Sequence, residues 1–242
     1  MSWSTPQKYL AEFLGTLALL FLAGGTAVFT LGEPDLARVI LVSLAFGLVL
    51  TALAYAFGEI SGGHFNPAVT LSMALSRRMP MMDVVPYLVA QIAGGLVGIG
   101  LVAGIAHGSD PLWSLAQGGA LGSQTYSGNG APGSFSLGSV FLLEVVMTFL
   151  FVLVIQLITR PENGAKNLAP VGIGFTLLVG NLLAIPVDGA SLNPVRSFSP
   201  ALLSYASWGT TWAIDQSWLF WVAPIIGGLL AAVVEMALRP RP

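Results

Sequence analysis

Long apolar runs separated by short polar clusters set the pattern of this chain. A helix needs about 20 apolar residues to cross the hydrocarbon core of a bilayer. Six runs approach or exceed that length: Tyr9–Thr30, Ala37–Phe57, Val84–Ala106, Ser136–Thr159, Leu168–Pro186 and Trp218–Leu238. Each predicts a membrane-spanning helix. A transmembrane barrel would instead alternate polar and apolar residues over about ten positions, and these runs are continuous. The first run has no small-residue cleavage site and exceeds the length of a signal core, so it reads as a span.

Two further segments are apolar but too short to cross. One runs from Glu59 to Leu75 through Ser61-Gly62-Gly63-His64-Phe65-Asn66-Pro67-Ala68-Val69-Thr70, between the second and third spans. The other runs from Asp188 to Leu203 through Gly189-Ala190-Ser191-Leu192-Asn193-Pro194-Val195-Arg196-Ser197, between the fifth and sixth. Each runs from a small polar lead-in into Asn-Pro and then into mostly apolar residues. Asn is a favoured N-cap and Pro a favoured first helical residue. Each segment therefore predicts a loop followed by a half-helix, over residues 66–76 and 193–204. Ten residues at 1.5 Å per residue cover about 15 Å, half the core.

An odd number of spans separates the two half-helices, so they enter from opposite faces. The chain then divides into a first repeat (residues 1–106), an outer connecting segment (107–135) and a second repeat (136–242) of inverted topology. The first spans of the two repeats agree in detail. Glu12 stands four residues before Thr16, and Glu144 four before Thr148, in otherwise apolar surroundings. The fold class is thus an all-α membrane protein of six transmembrane helices plus two re-entrant half-helices.

Composition sharpens the picture. The chain has 242 residues, of which 55% are hydrophobic and 8% charged, with mean hydropathy +0.82. Soluble domains average about 25% charged. The net charge of −2 offers no basic field for nucleic acid. With no Cys and two His, disulfides and thiolate metal sites are excluded, and no cofactor or metal is expected. No nucleophile–base pair or Gly-x-Ser-x-Gly motif supports an intramembrane enzyme.

Basic residues give orientation. With an inside N-terminus, Lys8, Arg77, Arg78, Arg160, Lys166, Arg239 and Arg241 fall in the cytoplasm, leaving Arg38 outside and Arg196 within the second short segment. Glu33, Asp35, Asp110, Asp188 and Asp215 fall on the outer side. Gly94 and Gly98, and Gly100 and Gly104, have the spacing that lets membrane helices approach closely. Trp208, Trp212, Trp218 and Trp221 read as an interfacial belt at the outer end of the last span.

Half-helices entering from opposite faces should meet N-terminus to N-terminus at the midplane. Irregular backbone at that depth is tolerated only where it is buried or lines a water-filled path. The lead-in loops would expose a row of carbonyls, while the helix dipoles put positive ends at the centre. That arrangement repels cations and leaves the Asn66 and Asn193 amides to donate to a neutral solute. A driven transporter would alternate access around its broken helices, and a cation channel conflicts with the dipoles and with Arg196.

These residues identify the chain as similar to the aquaporin (major intrinsic protein) family, and in particular to its bacterial water channels. The resemblance covers nearly the whole chain and implies a homotetramer in the bacterial inner membrane, with both termini cytoplasmic. It implies that Asn66 and Asn193 orient the permeant, and that Pro67, Ala68, Pro194 and Val195 complete the two motifs. It implies a filter of Phe46, Asn181, Ala190 and Arg196, and a carbonyl ladder from Gly62, Gly63, His64, Gly189, Ala190 and Ser191. It implies that Glu12 and Glu144 hold the re-entrant loops. His64 is read as packed in its loop, and His107 as an ordinary loop residue.

The chain departs from the family pattern at two positions. Asn181 stands where water-selective members have His, and Val195 where the motif has Ala. Two readings of the filter therefore stay open. One is a water channel with Val195 taken up in packing. The other is a facilitator of small neutral solutes such as glycerol, ammonia, hydrogen peroxide or metalloid acids.

Overall fold

A computed structural model of the protein describes residues 3–33, 35–127 and 135–239. Six long apolar helices run through it: Thr5–Phe29, Asp35–Ser61, Met81–Ala106, Leu137–Ile158, Ala169–Asp188 and Thr211–Ala237. The two half-helices are Pro67–Leu75 and Pro194–Trp208. Both begin with Pro directly after an Asn N-cap whose side chain accepts from the first-turn backbone. Arg241 and the 128–134 stretch of the connecting segment lie outside the described residues.

The packing repeats between the halves. The first span lies against the third, and the fourth against the sixth. The second span lies against the fifth. The first half-helix packs on the sixth span and the second on the third. Glycines permit these approaches. A Cβ on Gly94 would collide with the carbonyl oxygen of Phe13 in the first span, and one on Gly227 with that of Val145 in the fourth. Gly98 likewise faces the Leu17 carbonyl. Gly100 and Gly104, expected to form a second such pair, face open space with no heavy atom within 4 Å. Their spacing is right but their stripe points away from the neighbouring helix.

Several features differ from expectation; the first span starts at Thr5 and the second runs on to Ser61, each four residues beyond the apolar run. The sixth helix begins at Thr211, seven residues before the apolar run, because a polar turn (Thr211–Ser217) continues the same helix. The second half-helix extends to Trp208, where Gly209 in the left-handed region stops it. The connecting segment contains a helix, Asp110–Gly118, and a tight turn, Ala120–Gly122. Its Ala116 and Leu121 are buried against the third span, so the segment is part of the core. The first span also carries a π-helical turn at Leu20–Gly24, a feature that marks functional regions of helices.

At one end of the molecule, basic side chains close exposed helix C-termini. Arg78 donates to the Gln156 and Thr159 carbonyls at 2.7 and 2.8 Å. Arg239 donates to the Ser76 carbonyl at 2.8 Å and pairs with the buried Glu235, which also holds Arg160. Carbonyls that end a helix have no partner within it, and the guanidinium forks supply one. We call this the basic face and the opposite end the linker face.

Candidate functional site

The site is built by two loops with the same backbone. Gly62, Gly63 and Phe65 have φ of 90°, 62° and 47°; Gly189, Ala190 and Leu192 have 91°, 57° and 53°. Counted back from Asn66 and Asn193, these are the same three positions. Left-handed backbone strains any residue with a Cβ, so Phe65, Ala190 and Leu192 must be held there.

Two buried carboxylates do the holding. Glu12 accepts from the backbone N–H of His64 at 2.9 Å and of Phe65 at 2.8 Å. Glu144 accepts from Ser191 N–H at 2.7 Å and Leu192 N–H at 2.9 Å. Both glutamates are fully buried. A buried charge is tolerated only with such partners. Glu12 has two more, the Ser61 hydroxyl at 2.7 Å and the Gln91 amide at 2.7 Å. Asp188 extends the second loop's support by accepting from Ala190 N–H at 2.8 Å.

The loops meet through the asparagines. Asn66 Nδ2 donates to the Leu192 carbonyl at 2.8 Å, and Asn193 Nδ2 to the Phe65 carbonyl at 2.9 Å. Each Oδ1 accepts from its own half-helix, Ala68 N–H at 2.9 Å and Val195 N–H at 3.1 Å. An amide carries two N–H donors. One N–H of each asparagine fastens its half to the other.

Three cavities follow one another along this axis. The first, about 440 Å³, is on the basic face and is lined by Gly62, Gly63, His64 and Arg78 among others. The second is only about 20 Å³ and is lined by Phe46, His64, Asn66, Asn181, Ser191, Asn193 and Arg196, with Leu19, Leu50, Phe65, Phe151 and Leu177. The third, about 220 Å³, is on the linker face and shares Arg196 with the second. Arg196 sits 5.1 Å above the Phe46 ring and donates to the Gly122 carbonyl at 3.0 Å and the Gly189 carbonyl at 3.4 Å.

Of the residues singled out in the sequence, Phe46, His64, Asn66, Asn181, Ser191, Asn193 and Arg196 share the walls of the narrow cavity. Ala190 does not; it is buried, and its neighbour Ser191 stands there instead. Asn181 turns its amide back to the Leu177 carbonyl at 2.9 Å. Val195 is fully buried outside the narrow cavity, and a Cβ on Gly95 would come within 2.5 Å of its Cγ1. His64 bonds the Thr70 hydroxyl at 3.1 Å and packs on Tyr87. His107 caps the third span and meets the Trp113 edge.

Sequence reasoning missed Gln91, Asp188 and Gly122. Gln91 had a signal, an amide alone in an apolar span. Gly122 had none, since only its carbonyl is used.

Comparison with known proteins agrees with this architecture. The chain matches the Major intrinsic protein family over residues 1–235. It is 44% identical to "Aquaporin Z" of Rhodopseudomonas palustris, over 97% of this chain and 94% of that one. It is 42% identical to "Aquaporin Z" of Bradyrhizobium diazoefficiens, over 98% and 95%. The X-ray structure of the aquaglyceroporin from Plasmodium falciparum superposes with a TM-score of 0.80 at 23% identity, covering 95% of each chain. That likeness is one of fold. With six spans, two opposed half-helices and a family match along almost its entire length, the chain belongs to the major intrinsic protein family of membrane channels.

Proposed function

We propose that this protein is a passive channel for water that excludes ions and protons, with Asn66 and Asn193 at its centre and an outer filter of Phe46, Asn181 and Arg196. The observation that carries the reading is the volume of the narrow cavity. A space of about 20 Å³ is close to the roughly 10–15 Å³ of the same measure that one water needs. Glycerol exceeds it. Two half-helix N-termini and the Arg196 guanidinium face this point, so a cation entering it meets positive charge while shedding water. The carbonyls of Gly62, Gly63, His64, Gly189, Ala190 and Ser191 serve as acceptors on either side. Gly189 is the weakest of them, since Arg196 and Gln124 already use its oxygen.

One observation favours the broader reading, a facilitator of small neutral solutes. Asn181 is smaller than His and its amide is turned onto its own helix, which leaves the wall beside Phe46 free to widen. Gathering of the basic residues at one end supports cytoplasmic termini in a bacterial inner membrane. The homotetramer that the family resemblance implies belongs to the same reading.

Stopped-flow light scattering on proteoliposomes tests the proposal. Sucrose shock is expected to give fast shrinkage, and a glycerol gradient in the same batch no re-swelling. Shrinkage no faster than in empty liposomes overturns the channel reading. Rapid re-swelling replaces water selectivity with the broader range.

A further inference from the structure

Arg38 is the basic residue that the charge pattern leaves on the outer side, and no part of the permeation scheme uses it. In the fold it lines the 220 Å³ cavity of the linker face together with Arg196. The two side chains share the walls of this one cavity. Among the described residues no carboxylate forms an ion pair with either. Asp35, one turn before Arg38, pulls on it only through space. Glu144 and Asp188 act on Arg196 from behind the loop whose N–H groups they hold. Arg38 has a single long contact, Nη2 to the Ala27 carbonyl at 3.5 Å. The Nε of Arg38 and the Nε of Arg196 are both buried without a hydrogen-bond partner.

We propose that this outer cavity binds a small carboxylate anion between Arg38 and Arg196, and that the bound anion plugs the pore. The chemistry on the cavity wall selects the class. Guanidinium forks match the two oxygens of a carboxylate. Leu31, Val42, Ile185 and Trp212 supply an apolar wall for a short alkyl tail. The 220 Å³ cavity is about eleven times the 20 Å³ of the narrow one, enough for a short-chain carboxylate. The narrow cavity beyond Arg196, about 20 Å³, stops the anion there. The plugging half of this inference rests on the channel reading; the binding half does not.

The test uses proteoliposomes at neutral pH with sodium butyrate on both faces, so that protein orientation is immaterial, and sodium chloride at equal ionic strength as reference. Water permeability is expected to fall with butyrate and not with chloride. Arg38→Gln should leave permeability in chloride unchanged and raise the half-blocking butyrate concentration about tenfold, the loss of one charge-assisted pair. Arg38→Lys, which keeps the charge without the fork, should fall between, and it serves as the test if Arg38→Gln does not fold. Equal effects of butyrate and chloride, or equal butyrate sensitivity in the folded Arg38 variants, overturn the proposal. Binding is read independently from tryptophan emission, expected to respond to butyrate in the parent, not in Trp212→Phe, and only at about tenfold higher butyrate in Arg38→Gln. Emission that responds in a protein without water flux would defeat the channel reading and keep the anion site. Emission that does not respond overturns the site.

Discussion

Asn181 and Phe46 both line the narrow cavity, and on the proposed function the difference between a water pore and a wider one rests on a few atoms there. Asn181 spends its amide on the Leu177 carbonyl, so it holds its own helix more than it holds a solute. Replacing it by His brings a larger ring that reaches further from the helix. Asn181→His is expected to lower any glycerol or hydrogen peroxide flux to the liposome background while water flux persists. Fluxes that do not fall in that variant would remove Asn181 from the constriction. Val195 makes the opposite point. Its extra methyls over Ala are absorbed against Gly95 in the third span, so the departure from the motif is a matter of helix packing.

At the level of elements, the two re-entrant loops depend on one carboxylate each. Glu144 has both oxygens committed to consecutive backbone N–H groups. A Gln there turns an NH₂ towards one of those donors and leaves it unmade, a loss of about 1–3 kcal/mol. Glu144→Gln is therefore expected to lower folded yield while water permeability per folded channel stays near that of the parent. A selectivity change at normal yield would contradict a supporting role. The glycine stripe on the third span gives a sharper test of packing. Gly94→Ala drives a Cβ into the Phe13 carbonyl, and overpacking of this kind costs about 1–3 kcal/mol. Gly100→Ala meets nothing. In detergent, thermal unfolding should shift down for Gly94→Ala and not for Gly100→Ala; equal shifts would place the helix contact elsewhere.

For the molecule as a whole, the arrangement to be tested is its sense in the membrane. The chain has no Cys, so one introduced thiol reports its own side. Gly118 on the linker face and Gly164 near the basic face have no heavy atom within 4 Å of an added Cβ, which makes both tolerant positions. In intact cells, Gly118→Cys should react with a membrane-impermeant maleimide, and Gly164→Cys only after the membrane is opened. The reverse pattern would invert the topology and with it the assignment of the Arg38 cavity to the outside.

The linear chain already contained the spans, the half-helices and the paired glutamates. Apolar length, an Asn-Pro start and a lone carboxylate in an apolar run are local properties, and the bilayer leaves few structures compatible with them. Arg196 could be picked out for the same reason, as a charge whose cost demands a purpose. Properties that belong to pairs of distant residues had no such trace. Gly94 and Gly100 are indistinguishable by spacing, and only the rotation of the third span against the first separates them. The Arg196 guanidinium is steadied by the Gly122 carbonyl, 74 residues away in sequence, and a backbone oxygen leaves no mark on residue identity. The narrow cavity and the two-arginine chamber beyond it are likewise volumes enclosed by several helices at once. Chain chemistry chose the elements because each must satisfy its own backbone in lipid; folding alone decided the widths between them, because width is set by which side chains meet across the gap.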